Sequence, residues 1–270
     1  MNPILKKKGG KFYAKKEIFA YFPKEINTYI EPFVGGGSVF LNLERFGIKI
    51  KTGCYLNDLS NDVYVLWKVF YEKVLLDQLN ALFEQFALYS QSIFEYLIDY
   101  EPKTDAERIF RLLSLTMQSY QGDAKTYYIG IGDINRKMSK LYRPAEFWTL
   151  YHQYLVRMNV KISKKDYSLF FQGLFNRKES FNYCDPPYLE TSGYDDLPFT
   201  VSDQEHLCHF IHNFKGKAML SLNKHDWVKE HYGDLYMFLL KTRWAGNIKS
   251  SLSKHTEEYL ILNYDPSKPD

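Results

Sequence analysis

INTYIEPFVGGGSVFLNLERFGIKIKTGCYLND, Ile26 to Asp58, holds the change of pattern that decides the fold. The run INTYIEPF is short, β-rich and runs into Gly35, Gly36 and Gly37. SVFLNLERFG then predicts a helix, with Ser38 as its cap and Gly47 as its stop. IKIKTGCYLND alternates as a strand does and ends on Asp58. Strand, glycine loop, helix and strand in that order predict a β-loop-α-β unit, and such units build parallel sheets.

Working outward, Ser60 to about Leu115 has apolar residues at helical spacing. Gln118 to Arg143 is polar, aromatic and basic without a clear period, which predicts an inserted, loop-rich subdomain. A helix after Pro144, a strand at VKIS, a loop at KKDY and a strand at SFNYC follow. The last third predicts a helix over Ser202–Phe214 and strands in KAMLSLN, LYMFLL and EEYLILNY, before a frayed tail, DPSKPD. The expected organisation is a catalytic, cofactor-binding unit from 1–60 and 159–264. A helical segment with the insertion occupies 61–158, with its loop-rich part over 118–143, and 265–270 is the tail.

Composition narrows the class. The 270 residues suffice for one large domain or a domain with an insertion. Net charge is only +3, but its distribution is uneven. LKKKGGKFYAKK near the N-terminus and Lys241–His255 are both basic without an acid, which suits a polyanion. Cys54, Cys184 and Cys208 lack metal or disulfide spacing, and a reducing compartment is expected. With no signal peptide and no apolar run long enough to span a bilayer, a soluble intracellular protein is expected. His206, His209 and His212 lie largely off the apolar face of their helix and predict no metal site.

The glycine loop suggests a cofactor. Glycines let a ligand approach the backbone, and an acid ending the next strand, Asp58, can accept both hydroxyls of a ribose. Phe40 stands where a dinucleotide fingerprint has its third glycine, which argues against NAD. Glu31 adds negative charge beside the loop and suits an ammonium or sulfonium better than a pyrophosphate, pointing to S-adenosylmethionine.

A second motif, Asp185-Pro186-Pro187-Tyr188, follows the strand SFNYC. An exocyclic amino group on a base is a poor nucleophile, because its lone pair is delocalised into the ring. The Asp185 carboxylate and the Pro186 carbonyl can both accept from it. Consecutive prolines cannot donate and hold the backbone extended, which aims that carbonyl. Tyr188 can stack on the ring. A rigid strand-end turn would explain the same four residues, but the glycine loop and Asp58 favour the functional reading.

With these motifs in this order the chain resembles the DNA amino-methyltransferases of the alpha type, in particular the adenine-N6 methylases related to the GATC-modifying enzymes. LKKKGGK, EPFVGGGSVFLNL, LNDLSND, CDPPY and EEYLILNY carry the likeness. It implies a Rossmann-like, S-adenosylmethionine-dependent α/β fold with a mainly parallel sheet, an inserted target-recognition subdomain and no metal. It implies Lys7, Lys11, Glu31, Phe33, Gly35, Gly37, Asp58, Asp166 and Tyr167 as cofactor contacts. Asp185, Pro186, Pro187 and Tyr188 would hold the target base.

The expected substrate is double-stranded DNA, with the base flipped out for direct transfer. Candidate DNA contacts are Tyr120, Lys125, Tyr127, Tyr128, Arg136, Lys137, Lys140 and Arg143 in the insertion, and Arg243, Lys249 and Lys254 in the second basic stretch. The resemblance allows for a cognate restriction endonuclease that acts on the same site without stable binding. It also implies the cytoplasm of a bacterial or phage-infected cell. Cytosine-N4 methylation and a non-catalytic DNA-binding module stay open as alternatives.

Overall fold

The computed structural model describes residues 1–5, 11, 14–86, 91–119, 124–127, 145–174, 177–188, 199–243 and 255–268. Among these residues seven strands form one sheet: β1 (Glu25–Glu31), β2 (Lys49–Asn57), β3 (Val160–Ser163), β4 (Ser180–Cys184), β5 (Lys217–Asn223), β6 (Tyr236–Arg243) and β7 (His255–Leu262). Their order is β3-β2-β1-β4-β5-β7-β6. β1 runs parallel to β2 and β4, β4 runs parallel to β5, and β7 enters antiparallel to both β5 and β6. This is the mainly parallel sheet expected from the first β-loop-α-β unit, in the Rossmann-like arrangement that the resemblance implies.

The central strands show why they are central. Every residue of β4 is buried, as are the five middle residues of β5, so both faces of the sheet are covered. On one face Phe22, Tyr29 and Phe181 pack together, with Phe22 and Phe181 centroids 4.6 Å apart. On the other, Phe171 from α7 (Tyr167–Gln172) stacks on Phe210 from α8 (Val201–Asn213) at 3.5 Å and 7°. Leu207, Ile211, Ala218 and Leu220 complete that layer.

The chain divides into two compact units: Met1–Pro3, Lys11–Ser60 and Ser163–Asp270 form one, and Ile4–Gly10 and Asn61–Ile162 the other. The first unit opens with the short α1 (Lys15–Phe19), and the second is helical, with α2 (Asn61–Tyr71), α3 (Lys73–Gln85), α4 (Gln91–Asp99), α5 (Asp105–Gln118) and α6 (Ala145–Arg157). Trp67, Phe70, Leu79, Phe83, Leu113 and Trp148 form its core. Thr104 and Glu107 close a capping box at the start of α5, and Arg108–Asp62 (2.6 Å) and Lys68–Asp105 (2.8 Å) tie α5 to α2. No helix among the described residues is long and apolar enough to cross a membrane.

One expected element is different. Ser38–Gly47 is not an α-helix but two 3₁₀ turns, Phe40–Asn42 and Glu44–Phe46. The side chain of Asn42 donates to the Ser38 carbonyl at 3.0 Å, taking the acceptor that an α-helical Asn42 N–H would use. That N–H turns to Val39 instead, and the segment tightens. Gly47 does end it, in the left-handed conformation at φ 76°. The KKDY loop is also shorter than expected, because Asp166 caps α7 by accepting from the Ser168 N–H.

Gly216, just before β5, is packed against backbone: a Cβ there would lie 2.4 Å from the Ser180 carbonyl oxygen and 2.8 Å from that of Arg177. Neither is a flexible side-chain end. Gly216→Ala is therefore expected to destabilise the fold by about 1–3 kcal/mol, read as a lowered urea midpoint at unchanged slope.

Candidate active site

Three parallel strands deliver the candidate residues at their carboxyl ends: Glu31 on β1, Asp58 just after β2 and Asp185 just after β4. β1 lies between β2 and β4, so the chain's crossovers reverse direction around it. Open α/β sheets form their ligand crevice at such a switch point.

The loop after β1 is held from below. Asn57 is fully buried and all its hydrogen-bonding edges are used within this unit. Its amide donates to the carbonyls of Pro32 (3.2 Å) and Lys165 (2.9 Å), and its oxygen accepts from Ser163 Oγ (2.8 Å) and the Lys165 N–H (3.0 Å). Asp58 then reaches across: one carboxylate oxygen accepts from the Gly35 N–H (2.9 Å) and the other from the Ser60 N–H (3.0 Å). Gly35 and Gly37 adopt φ of +48° and +72°, a region that favours glycine, and open space lies where a Gly35 Cβ would be.

Glu31 is buried, and the Tyr29 hydroxyl donates to it at 2.7 Å. Burial pushes its carboxyl well above the usual range, and the acids Asp185 and Asp58 add to that rise. A buried acid beside an open glycine loop, with the Asp58 carboxylate at the end of the next strand, is a set of acceptors that fits a cationic nucleoside such as S-adenosylmethionine. Phe33, Tyr167 and Phe199 close an aromatic corner within 5.4–5.8 Å of one another, and the Tyr167 hydroxyl donates to the Asp203 carbonyl at 2.9 Å. Phe199 was not among the expected residues. It sits beyond the proline motif in sequence, and only the fold brings it to Phe33.

The proline motif leaves β4 as a short irregular stretch. Gln204, fully buried on α8, donates to the Pro187 carbonyl at 2.9 Å and pins the peptide that leads into Tyr188. Asp185 forms an ion pair with Lys11 at 2.7 Å, and Lys11 also donates to the Tyr188 hydroxyl. Burial raises the Asp185 carboxyl to about 6; Lys11 opposes the rise and Glu258 adds to it. The Lys11 ammonium is held well above its ordinary value by Asp185 and Glu258, despite its own burial. Lys11, expected beside the cofactor, thus touches the acid and the aromatic of the proline motif. Glu258, which no motif flagged, is 3.5 Å from the same ammonium.

The basic stretches are less fully described. Tyr120, Tyr128, Arg136, Lys137, Lys140, Arg143, Lys249 and Lys254, and Lys7 near the N-terminus, lie outside the described residues. Lys125 is exposed, and Tyr127 packs on Phe94 at 5.4 Å and bridges to Ser119. Arg243 ends β6, paired with His255. The histidines of α8 have local roles: His212 meets the Cys208 carbonyl (2.8 Å) and Asp234 (3.0 Å), and His209 bonds Asn213. Among the described residues no three His, Cys, Asp or Glu side chains converge as metal ligands.

Comparison with known proteins bears on this geometry. Residues 8–245 match the model of the D12 class N6 adenine-specific DNA methyltransferases. Type II methyltransferase M.MjaIII of Methanocaldococcus jannaschii is 28% identical, over 98% of this chain and 99% of that protein. Type II methyltransferase M.CviBI of Paramecium bursaria Chlorella virus NC1A is 22% identical over 86% of each. The DNA adenine methylase of Escherichia coli K12 is 26% identical over 97% of this chain and 95% of that protein.

Proposed function

Because the chain belongs to the D12 class of N6 adenine-specific DNA methyltransferases and so methylates adenine N6 in DNA, we propose that Asp185, Pro186, Pro187 and Tyr188 hold the target base. The glycine loop, Asp58 and Glu31 hold S-adenosylmethionine. The observation that carries this reading is the convergence of Asp58, Glu31 and Asp185 at the carboxyl ends of adjoining parallel strands. The family assignment takes adenine N6 over cytosine N4 and over a non-catalytic module.

The cofactor supplies an electrophilic methyl group, the electrons of its carbon–sulfur bond leaving on sulfur. The protein's part is to prepare the nitrogen. Asp185 accepts one amino hydrogen and the Pro186 carbonyl accepts the other, which draws the lone pair out of the ring and aims it. Tyr188 stacks on the base and excludes water. The amino nitrogen is positively charged once alkylated and then loses a proton, so no general base is needed in the attack. Duplex DNA hides this amino group, so the base must leave the stack. The basic insertion and the stretch after Arg243 would grip phosphates and read the site. We place the enzyme in the cytoplasm, and the type II relatives make a restriction endonuclease of the same specificity its expected companion.

This reading is tested by single-molecule sequencing of DNA from a methylation-deficient host expressing the protein. N6-methyladenine at one short motif, lost in an Asp185→Ala strain, is the expected result. Methylation that persists without Asp185 would overturn the assignment. The pH dependence has a fixed sign. Asp185 accepts most strongly when ionised, and burial raises its carboxyl to about 6. Transfer should therefore be fully present above neutrality and fall as pH drops through about 6, measured as single-turnover rates at saturating cofactor and DNA.

A further inference from the structure

We infer that Glu258 is a positioning residue for methyl transfer, acting through Lys11; this rests on the proposed role of Asp185 and Tyr188. An ammonium has three donors in a tripod and accepts nothing. Three oxygens face the Lys11 ammonium from three parts of the chain. They are Asp185 Oδ1 at 2.7 Å, the Tyr188 hydroxyl, and Glu258 Oε2 at 3.5 Å. The ammonium also lies 4.8 Å from the centroid of the Tyr188 ring. Lys11 therefore touches both groups proposed to hold the base, and Glu258 is its further anionic partner.

Glu258 is a costly residue to put where it is. It is interior to β7, between Asn223 of β5 and Leu240 of β6, on the sheet face it shares with Leu260 and Leu262. It is buried, and among the described residues its Oε2 makes no hydrogen bond and has the Lys11 ion pair as its contact. A buried carboxylate oxygen with no hydrogen bond is unfavourable for the fold, which points to a role outside stability. Its neighbour Glu257 points to the opposite face and pairs with Lys224 at 2.5 Å, as a surface strand residue does.

Charge gives the second half of the argument. With Lys11 alone against Asp185 this corner would be neutral. Glu258 makes it net negative, and methyl transfer brings positive charge onto the target nitrogen held there. Glu258 thus joins Asp185 in holding Lys11 protonated, without cancelling the charge of Asp185. Among the described residues the titratable groups facing Asp185 are Lys11 from the N-terminal segment, Glu258 from β7, Tyr188 from its own loop, Tyr183 and Cys184 from β4 and Glu31 from β1.

The experiment uses the whole protein, tritiated S-adenosylmethionine and DNA from a methylation-deficient host. Glu258→Gln should lower the single-turnover rate at neutral pH by about 10-fold, with cofactor affinity unchanged within about 2-fold. Removing the Glu258 charge relieves repulsion on Asp185, so the acid limb of the pH–rate profile should also move to lower pH. A structural role would lower the rate without moving that limb, and this result, or a wild-type rate and profile, would overturn the inference. Glu258→Asp retains the charge and should leave the limb where it is; a limb displaced as far as in Glu258→Gln would also overturn it. Asp185→Ala run in parallel separates the two readings. If it transfers at the wild-type rate, the role of Asp185 falls. If it is inactive while Glu258→Gln is normal, only the role of Glu258 falls.

Discussion

Asp185→Ala is expected to cut methyl transfer by about 1,000-fold or more while leaving the dissociation constant of S-adenosylmethionine within about 2-fold of wild type. The two halves of the result come from different geometry. The carboxylate is the acceptor that readies the target nitrogen, and pre-organised acceptors of this kind contribute about 3–4 kcal/mol each when removed. The glycine loop is braced by Asp58 and Asn57, not by Asp185, so the cofactor side should be untouched. The substitution also leaves the Lys11 ammonium with a neutral neighbour in place of its 2.7 Å partner. Melting temperature must therefore be measured beside activity, and isothermal titration with cofactor supplies the control. Asp185→Asn should be the milder change, since an amide oxygen can still accept, though without charge. Equal loss of cofactor affinity and rate would mean that the two halves of the site are wrongly divided.

Asp58→Ala should show the converse. Its carboxylate is proposed to accept from the ribose, and it also receives the N–H groups of Gly35 and Ser60. Loss of hydrogen bonds to a charged acceptor is expected to weaken cofactor binding by about 10- to 100-fold, or roughly 1.5–3 kcal/mol. Since those bonds are the same before and during transfer, the maximal rate at saturating cofactor should recover to within about 3-fold. Titration calorimetry and saturation kinetics together decide it. An unchanged affinity would remove Asp58 from the cofactor site and leave it only a brace for the loop.

Much of this is legible in the sequence, for a physical reason. β1, β2, β4 and β5 are short apolar or alternating runs, and strands of that kind declare themselves locally. The glycine loop and the proline motif use residue types whose backbone restrictions are intrinsic. What was not legible depends on contacts far apart in the chain or on a competition no pattern records. Ser38–Phe46 has the composition of an α-helix, yet one Asn42 side chain diverts the carbonyl that helix needs. Only the family resemblance of LKKKGGK gives Lys11 a place beside the cofactor, and no local pattern records its ion pair with Asp185, 174 residues away in the chain. Glu258 looked like one of two acids opening a strand; only the pairing of β7 shows which one faces inward. Gln204 reads as a polar residue in the first turns of a helix, and its bond to Pro187 appears only when α8 docks.

The placement of β7 has a consequence for biosynthesis. It is the seventh strand to leave the ribosome, yet it occupies an interior slot, so β5 and β6 remain unzipped from each other until it arrives. During synthesis both would present bare edges, the condition in which nascent chains stick to one another. Glu258 rides on that strand, so the corner around Lys11 cannot be assembled before β7 inserts. A ribosome-stalled chain ending before His255 would then be inactive and prone to aggregate, even with every residue of the glycine loop and the proline motif already made.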